Sequence, residues 1–161
     1  MGYIPGRLFC SYSAQMNLSP DEVARRCAEL LWQEDHAARA LDIVIDTVTA
    51  DSATLRMGVR QDMVNGHGTC HGAYLFAIAD TAFAYACNAR NQRAVAGGAD
   101  ISFIAPAFLG DTLTATAQMR QQGGRSGVYD VEVSDQRGKL IALFRGRCVR
   151  IKQPFFAEHA D

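Results

Sequence analysis

Residues 65–88 read NGHGTCHGAYLFAIADTAFAYACN: a loop rich in glycine and histidine runs directly into a stretch that is apolar nearly all round and carries one carboxylate, Asp80. A helix with apolar residues on every side must be wrapped by other elements. A carboxylate set among them loses hydration that something else has to offset, and acids kept in that state are usually kept for chemistry. Ala73, Phe76, Ala77, Ala84 and Cys87 fall on the face of Asp80 at helical offsets. Its pKa is therefore expected above the ordinary carboxylate value of about 3.9, toward the range of a general base. The structural alternative is an acid bonded to Thr81 or to a neighbouring strand.

Upstream, Ser19 can cap a helix with Pro20 at its first position and Asp21 and Glu22 at its positive end; Val23, Cys27, Leu30 and Leu31 repeat at helical spacing. This helix is expected to run to about Ala40. Two strand-like runs follow, Asp42 to Thr49 and Ala53 to Val59, joined as a hairpin through Ala50-Asp51-Ser52. Downstream of the central helix, expected to end near Arg90, come Ala94 to Ala105, Asp111 to Gln121, Gly127 to Ser134 and Leu140 to Ile151. Turn residues separate them at Pro106 to Gly110, Gly123-Gly124 and Asp135 to Gly138. Short connections favour antiparallel pairing. The expected architecture is α+β, a single long central helix wrapped by a curved six-stranded antiparallel sheet. Residues 19–152 form this domain, 1–18 an irregular arm and 153–161 a tail.

The bulk properties narrow the function. A chain of 161 residues, 48% hydrophobic and 20% charged, suits one globular domain. A net charge of -1 with no basic run gives no footprint for nucleic acid or an anionic membrane. Five cysteines (Cys10, Cys27, Cys70, Cys87, Cys148) are odd in number and scattered, which argues against a disulfide framework or a Cys-x-x-Cys metal knuckle and for a reducing cytoplasm. No segment reads as a signal peptide or a membrane span.

Helical geometry decides how the 65–88 block can work. His71 precedes Asp80 by nine residues, half a turn out of phase and about 13.5 Å along the axis, so the two cannot serve one reactant within one helix. A catalytic reading therefore asks for two antiparallel copies of the helix and a site shared across a dimer. The helix start offers unpaired N–H groups and the positive end of the dipole, and Gly72 leaves its N–H open to a substrate, as an oxyanion hole requires. Asn65 has an amide able to position water or an acyl oxygen, although Asn65-Gly66 is also an ordinary turn pair. His67, Cys70 and His71 hint at zinc but lack a second ligand cluster. Cys70 reads as a packing thiol. Tyr74, Phe76, Phe83 and Tyr85 read as core, with one free to line an acyl pocket.

The block Asn65-Gly66-His67, His71-Gly72 and Ala79-Asp80-Thr81-Ala82-Phe83-Ala84 resembles the hotdog-fold acyl-CoA thioesterases of the phenylacetic acid degradation type. The likeness continues through Asp100-Ile101-Ser102-Phe103, Pro106, Gly110-Asp111-Thr112-Leu113, Gly127-Val128-Tyr129-Asp130 and Ala142-Leu143-Phe144-Arg145-Gly146, roughly residues 24–152. Ala73 departs from it, since related sequences often carry a second glycine there. The resemblance implies a hotdog fold, dimers formed through adjoining sheets and often paired into tetramers, and hydrolysis of aryl-acetyl or related coenzyme A thioesters without a metal or redox cofactor. It gives Asp80 the part of base or nucleophile, Gly72 that of polarising the carbonyl, Asn65 that of positioning the reactants, and His71 a part in shaping the helix start. Arg93, Arg125, Arg150 and Lys152 are available at the surface for the coenzyme phosphates, although scattered basic residues are more often merely solvated. Two rivals remain: a hotdog dehydratase or hydratase with His71 as base, and a non-catalytic acyl-CoA-binding module whose acid is structural.

Overall fold

Ser19 starts the first helix with a capping box: its hydroxyl accepts the Glu22 N–H at 3.3 Å, and the Glu22 carboxylate accepts the Ser19 N–H at 2.7 Å. In the computed structural model, which describes residues 18–157, helix α1 (Pro20–Glu34) stops short of the expected Ala40. Asp35 leaves helical geometry and caps a separate short helix, α2 (His36–Ala40), by accepting the Ala38 N–H at 3.0 Å. An aspartate that can bond the backbone three residues ahead competes with continuation of the helix it ends. Asp35 also accepts the Tyr85 hydroxyl at 3.2 Å, which ties this break to the central helix. Residues 1–17 of the expected arm and 158–161 of the expected tail lie outside the described residues.

The strands are β1 (Val44–Val48), β2 (Ser52–Gly58), β3 (Ala94–Phe103), β4 (Thr112–Gln122), β5 (Ser126–Ser134) and β6 (Leu140–Arg150). They form one six-stranded sheet in the order β1-β2-β4-β5-β6-β3, every neighbouring pair antiparallel. Strand alternation sends Ala53, Leu55 and Met57 of β2, Leu113, Ala115 and Ala117 of β4, and Tyr129, Val131 and Val133 of β5 into the interior. There they meet Ile78, Ala79, Ala82, Phe83 and Ala86 of the central helix α3 (Gly72–Cys87), which packs on β2 to β6. Close approach needs small residues at the contact. A Cβ on Gly146 of β6 would lie 2.7 Å from the ring of Phe83, so only glycine lets that buried ring rest on the strand.

α3 ends at Cys87, before the expected Arg90. The Asn88 amide donates to the Ala84 carbonyl at 2.9 Å and to the Ala94 carbonyl at 3.1 Å, and its oxygen accepts the Ala94 N–H, so one side chain stops the helix and starts β3. The sheet wraps one side of α3 only. Ala73 and Phe76 are exposed and Ala77, Asp80 and Ala84 half-buried, so the stripe expected to enclose Asp80 is instead the helix's open side. Beside it runs the outer edge of β3, which pairs with β6 alone and leaves Val95 and Phe103 more than half exposed, at 51% and 56%.

Candidate active site

The loop before α3 is built around Asn65. Its side-chain oxygen accepts the N–H groups of His67 at 2.9 Å and Thr69 at 3.3 Å, and its amide donates to the Thr69 hydroxyl at 3.1 Å. Gly68 turns this loop at φ 76°, a conformation that side chains disfavour. The Asn65 amide is thus largely spent on shaping the loop, with one hydrogen of its NH₂ left over. Cys70 N–H donates to the Ala107 carbonyl and His71 N–H to the Met63 carbonyl, both at 2.8 Å, fixing the direction in which the helix begins.

His71 is the N-cap. Its Nδ1 accepts the Ala73 N–H at 3.0 Å, so the neutral ring that caps carries its hydrogen on Nε2. Capping consumes the Ala73 donor and leaves that of Gly72, the first helical residue, which has no acceptor within the helix. A single N–H, backed by the positive end of a sixteen-residue helix, is therefore presented at the surface.

Asp80 sits two turns along the same stripe, half-buried. Burial alone raises its pKa; no opposing charge or hydrogen bond contributes. Thr81, the residue with which a structural aspartate would pair, donates instead to the Ala77 carbonyl at 2.7 Å. Gly72 and Asp80, eight positions apart, lie on one unbroken helix, which separates them by about 12 Å of rise. The structure brings Asn65, His71 and Gly72 together at one end and places Asp80 apart.

Other expected residues find their places around this frame. Burial pushes the Cys70 thiol up to about 11, which leaves little thiolate for attack. His67 is exposed on the loop. Of the aromatics on α3, Phe83 and Tyr85 are core, whereas Phe76 is 36% exposed on the stripe of Asp80, its ring set edge-on to Phe144 at 5.3 Å. Arg93 lies over the ring of Phe155, and Arg150 Nη1 donates to the Gly124 carbonyl. Among the described residues no group of three or more His, Cys, Asp or Glu side chains gathers as a metal site. The groove of about 660 Å³ between α1 and β1, lined by Trp32, Ile43 and Ile45, contains none of Asn65, His71, Gly72 and Asp80.

Phe103 is the member of this surface that sequence reasoning does not single out. The alternation Ala99, Ile101, Phe103 along β3 is the signal for its side of the strand. Its meeting with Gly72 is tertiary: ring atoms lie 2.8 to 3.3 Å from where a Cβ on Gly72 would stand.

A long central helix started by glycine and packed in a six-stranded antiparallel sheet of this order, with a half-buried acid on its open side, is the architecture of the hotdog class. Residues 67–142 match the Thioesterase superfamily. The chain is 50% identical over 124 residues to acyl-coenzyme A thioesterase PaaI of Escherichia coli, covering 77% of this chain and 89% of that one. The structure of the E. coli PaaI protein from the phenylacetic acid degradation operon superposes with a TM-score of 0.83 at 47% identity, over 84% of this chain and 99% of that one. A mutant of the phenylacetic acid degradation protein PaaI from Thermus thermophilus does so with a TM-score of 0.69 at 36% identity, over 71% and 98%. The chain belongs to the hotdog-fold acyl-CoA thioesterases of the PaaI type.

Proposed function

We propose that the protein hydrolyses aryl-acetyl thioesters of coenzyme A, of the phenylacetyl or hydroxyphenylacetyl kind, to the free acid and coenzyme A, in the catabolism of phenylacetate. The observation that carries this reading is the split of the machinery along α3. A free Gly72 N–H stands at one end of the open stripe and an unpartnered acid of raised pKa two turns on. In this reading the thioester carbonyl accepts from Gly72 N–H of one subunit. Asp80 of the partner subunit takes a proton from water as it attacks that carbon, and the thiolate of coenzyme A leaves and is protonated. Asn65 contributes its remaining amide hydrogen and His71 holds the helix start. The reaction calls on no metal or redox cofactor.

Two chains are needed because one helix cannot bring both groups to one carbon. The free edge of β3 supports a way to join them: a ten-residue strand with unpaired N–H and C=O groups and exposed apolar side chains is a template for another strand. A two-fold axis across that edge lays the two α3 helices antiparallel, Gly72 of each toward Asp80 of the other. Pairing of such dimers into tetramers, and a cytoplasmic setting suited to the buried thiols of Cys70, Cys87 and Cys148, complete the proposal.

The geometry disfavours both rivals. As a dehydratase base His71 would have to accept a proton on Nδ1, which is engaged with the Ala73 N–H. As a structural acid in a binding module Asp80 would have a partner, and Thr81 bonds elsewhere.

The test is release of free thiol from phenylacetyl-CoA. Asp80→Asn should keep the dimer and lose hydrolysis by several orders of magnitude, and near-full activity would refute the assignment. Mixing Asp80→Asn chains with Gly72→Ala chains should restore activity in the heterodimer. One of its two sites then draws an intact Gly72 from one chain and an intact Asp80 from the other. Absence of rescue after subunit exchange would refute the shared site.

A further inference from the structure

Phe103 combines two properties that packing does not account for. It closes β3 on the side that faces α3, opposite the buried Ala142 of β6, yet its ring is 56% exposed. The same ring reaches back to the helix start. Its Cζ lies 2.8 Å, and its Cε atoms 3.2 and 3.3 Å, from the position a Cβ on Gly72 would take. The ring therefore occupies the place of the missing Gly72 side chain and shares one small surface with the Gly72 N–H. Phe76, one turn along the open stripe, adds a second partly exposed ring.

We propose that Phe103 determines acyl specificity: it is the wall against which the acyl group rests when its carbonyl accepts from Gly72 N–H, and it selects acyl groups that end in an aromatic ring. The inference rests on the thioesterase reading above. A carbonyl bonded to that N–H has its neighbouring carbon within reach of the Phe103 ring. One methylene further, an aryl group comes to the distance at which aromatic rings meet edge-to-face or offset, roughly 4.5 to 7 Å between centroids. A straight alkyl chain keeps the contact area but gains nothing from the orientation of the rings.

The experiment compares kcat/KM for phenylacetyl-CoA and hexanoyl-CoA in wild type, Phe103→Leu, Phe103→Ala and Phe103→Tyr, with melting temperature and dimer content measured on each. Phe103→Leu should lower the aryl-to-alkyl ratio three- to tenfold, the fold-change that the orientational part of an aromatic pair commands. Phe103→Ala should lower it at least as much, and Phe103→Tyr should keep it. An unchanged ratio in the Leu and Ala variants would overturn the proposal. So would an equal loss on both substrates with a weakened dimer, which is the mark of a ring that serves only the subunit contact. A wild-type enzyme inert toward both thioesters, or a rate independent of Asp80, would sink the thioesterase reading and this inference with it. Asp80-dependent hydrolysis with an unaltered ratio would sink the inference alone.

Discussion

Gly72→Ala separates the donor at the helix start from the space around it. Alanine keeps the N–H and is the better helix former, a gain of up to about 1 kcal/mol over glycine inside a helix and less at its first position. Against this, the new Cβ would stand 2.8 Å from Phe103 Cζ, closer than carbon atoms tolerate, so the ring must move. Overpacking of a closed core costs about 1 to 3 kcal/mol. Phe103 is 56% exposed, and its ring can swing outward for less than that. The two contributions oppose each other, and net stability should change by no more than about 1 kcal/mol, or about 2 to 4 °C in Tm for a domain of this size. Catalysis has no such compensation, because the methyl group intrudes on the approach to the Gly72 N–H and the ring beside it is displaced. A carbonyl held off that N–H is deprived of its donor although the group remains, and loss of one such donor lowers kcat by roughly 100- to 1,000-fold. The assay is spectrophotometric thiol release from phenylacetyl-CoA beside a thermal melt. Activity within about threefold of wild type at unchanged Tm would refute the placement of the carbonyl at Gly72. A Tm lowered by more than about 10 °C would refute the claim that the ring yields.

His71→Ala should lose the bond to the Ala73 N–H, about 1 kcal/mol of stability, and reduce thiol release, whereas His71→Asn, a good N-cap, should recover most of both; continued inactivity of the Asn variant would show a chemical role for the imidazole. Asp80 has a folded-state pKa raised by burial, so the folded chain binds its proton more tightly than the unfolded chain and loses stability as pH rises from about 3.9 through the folded value. Denaturant titrations should therefore find Asp80→Asn more stable than wild type at neutral pH and the difference gone in acid; a difference independent of pH would contradict that cause.

The fold was legible because its signals are periodic. Alternation in Leu55-Met57, Ala115-Ala117 and Val131-Val133 identifies strands whichever neighbour they pair with, and the observed ends lie within two residues of the expected ones. The helix boundaries were less so, since they turn on single polar side chains whose other partners are distant. Asp35 breaks α1 while accepting from Tyr85, and Asn88 ends α3 while bonding Ala94. Neither partnership has a local signature. In the site, the separation of Gly72 from Asp80 follows from helical rise alone, and the cap formed by His71 from its place before the first helical residue. The seat of Phe103 on Gly72 depends on how a strand end meets a helix start, which no spacing encodes.

The one expectation that reversed concerns which side of α3 is open, and its cause bears on assembly. Ala73, Phe76, Ala77 and Ala84 surround Asp80 with apolar groups, as a buried face does, yet the sheet covers Leu75, Ile78, Ala79, Ala82 and Phe83 instead. A helix apolar all round gives no clue to which half its own sheet will take, because both halves are equally suited to burial. In a monomer the uncovered half would be an apolar stripe beside an unpaired strand edge, two features that soluble chains avoid in combination. If β3 pairs with its copy, the same stripe acquires a second helix running the other way, and Asp80 becomes more deeply buried than in the single chain. The desolvation that raises its pKa would then be strongest only in the assembled form. Assembly would thus do more than bring the Gly72 N–H to the acid: it would also complete the environment that makes the acid a base.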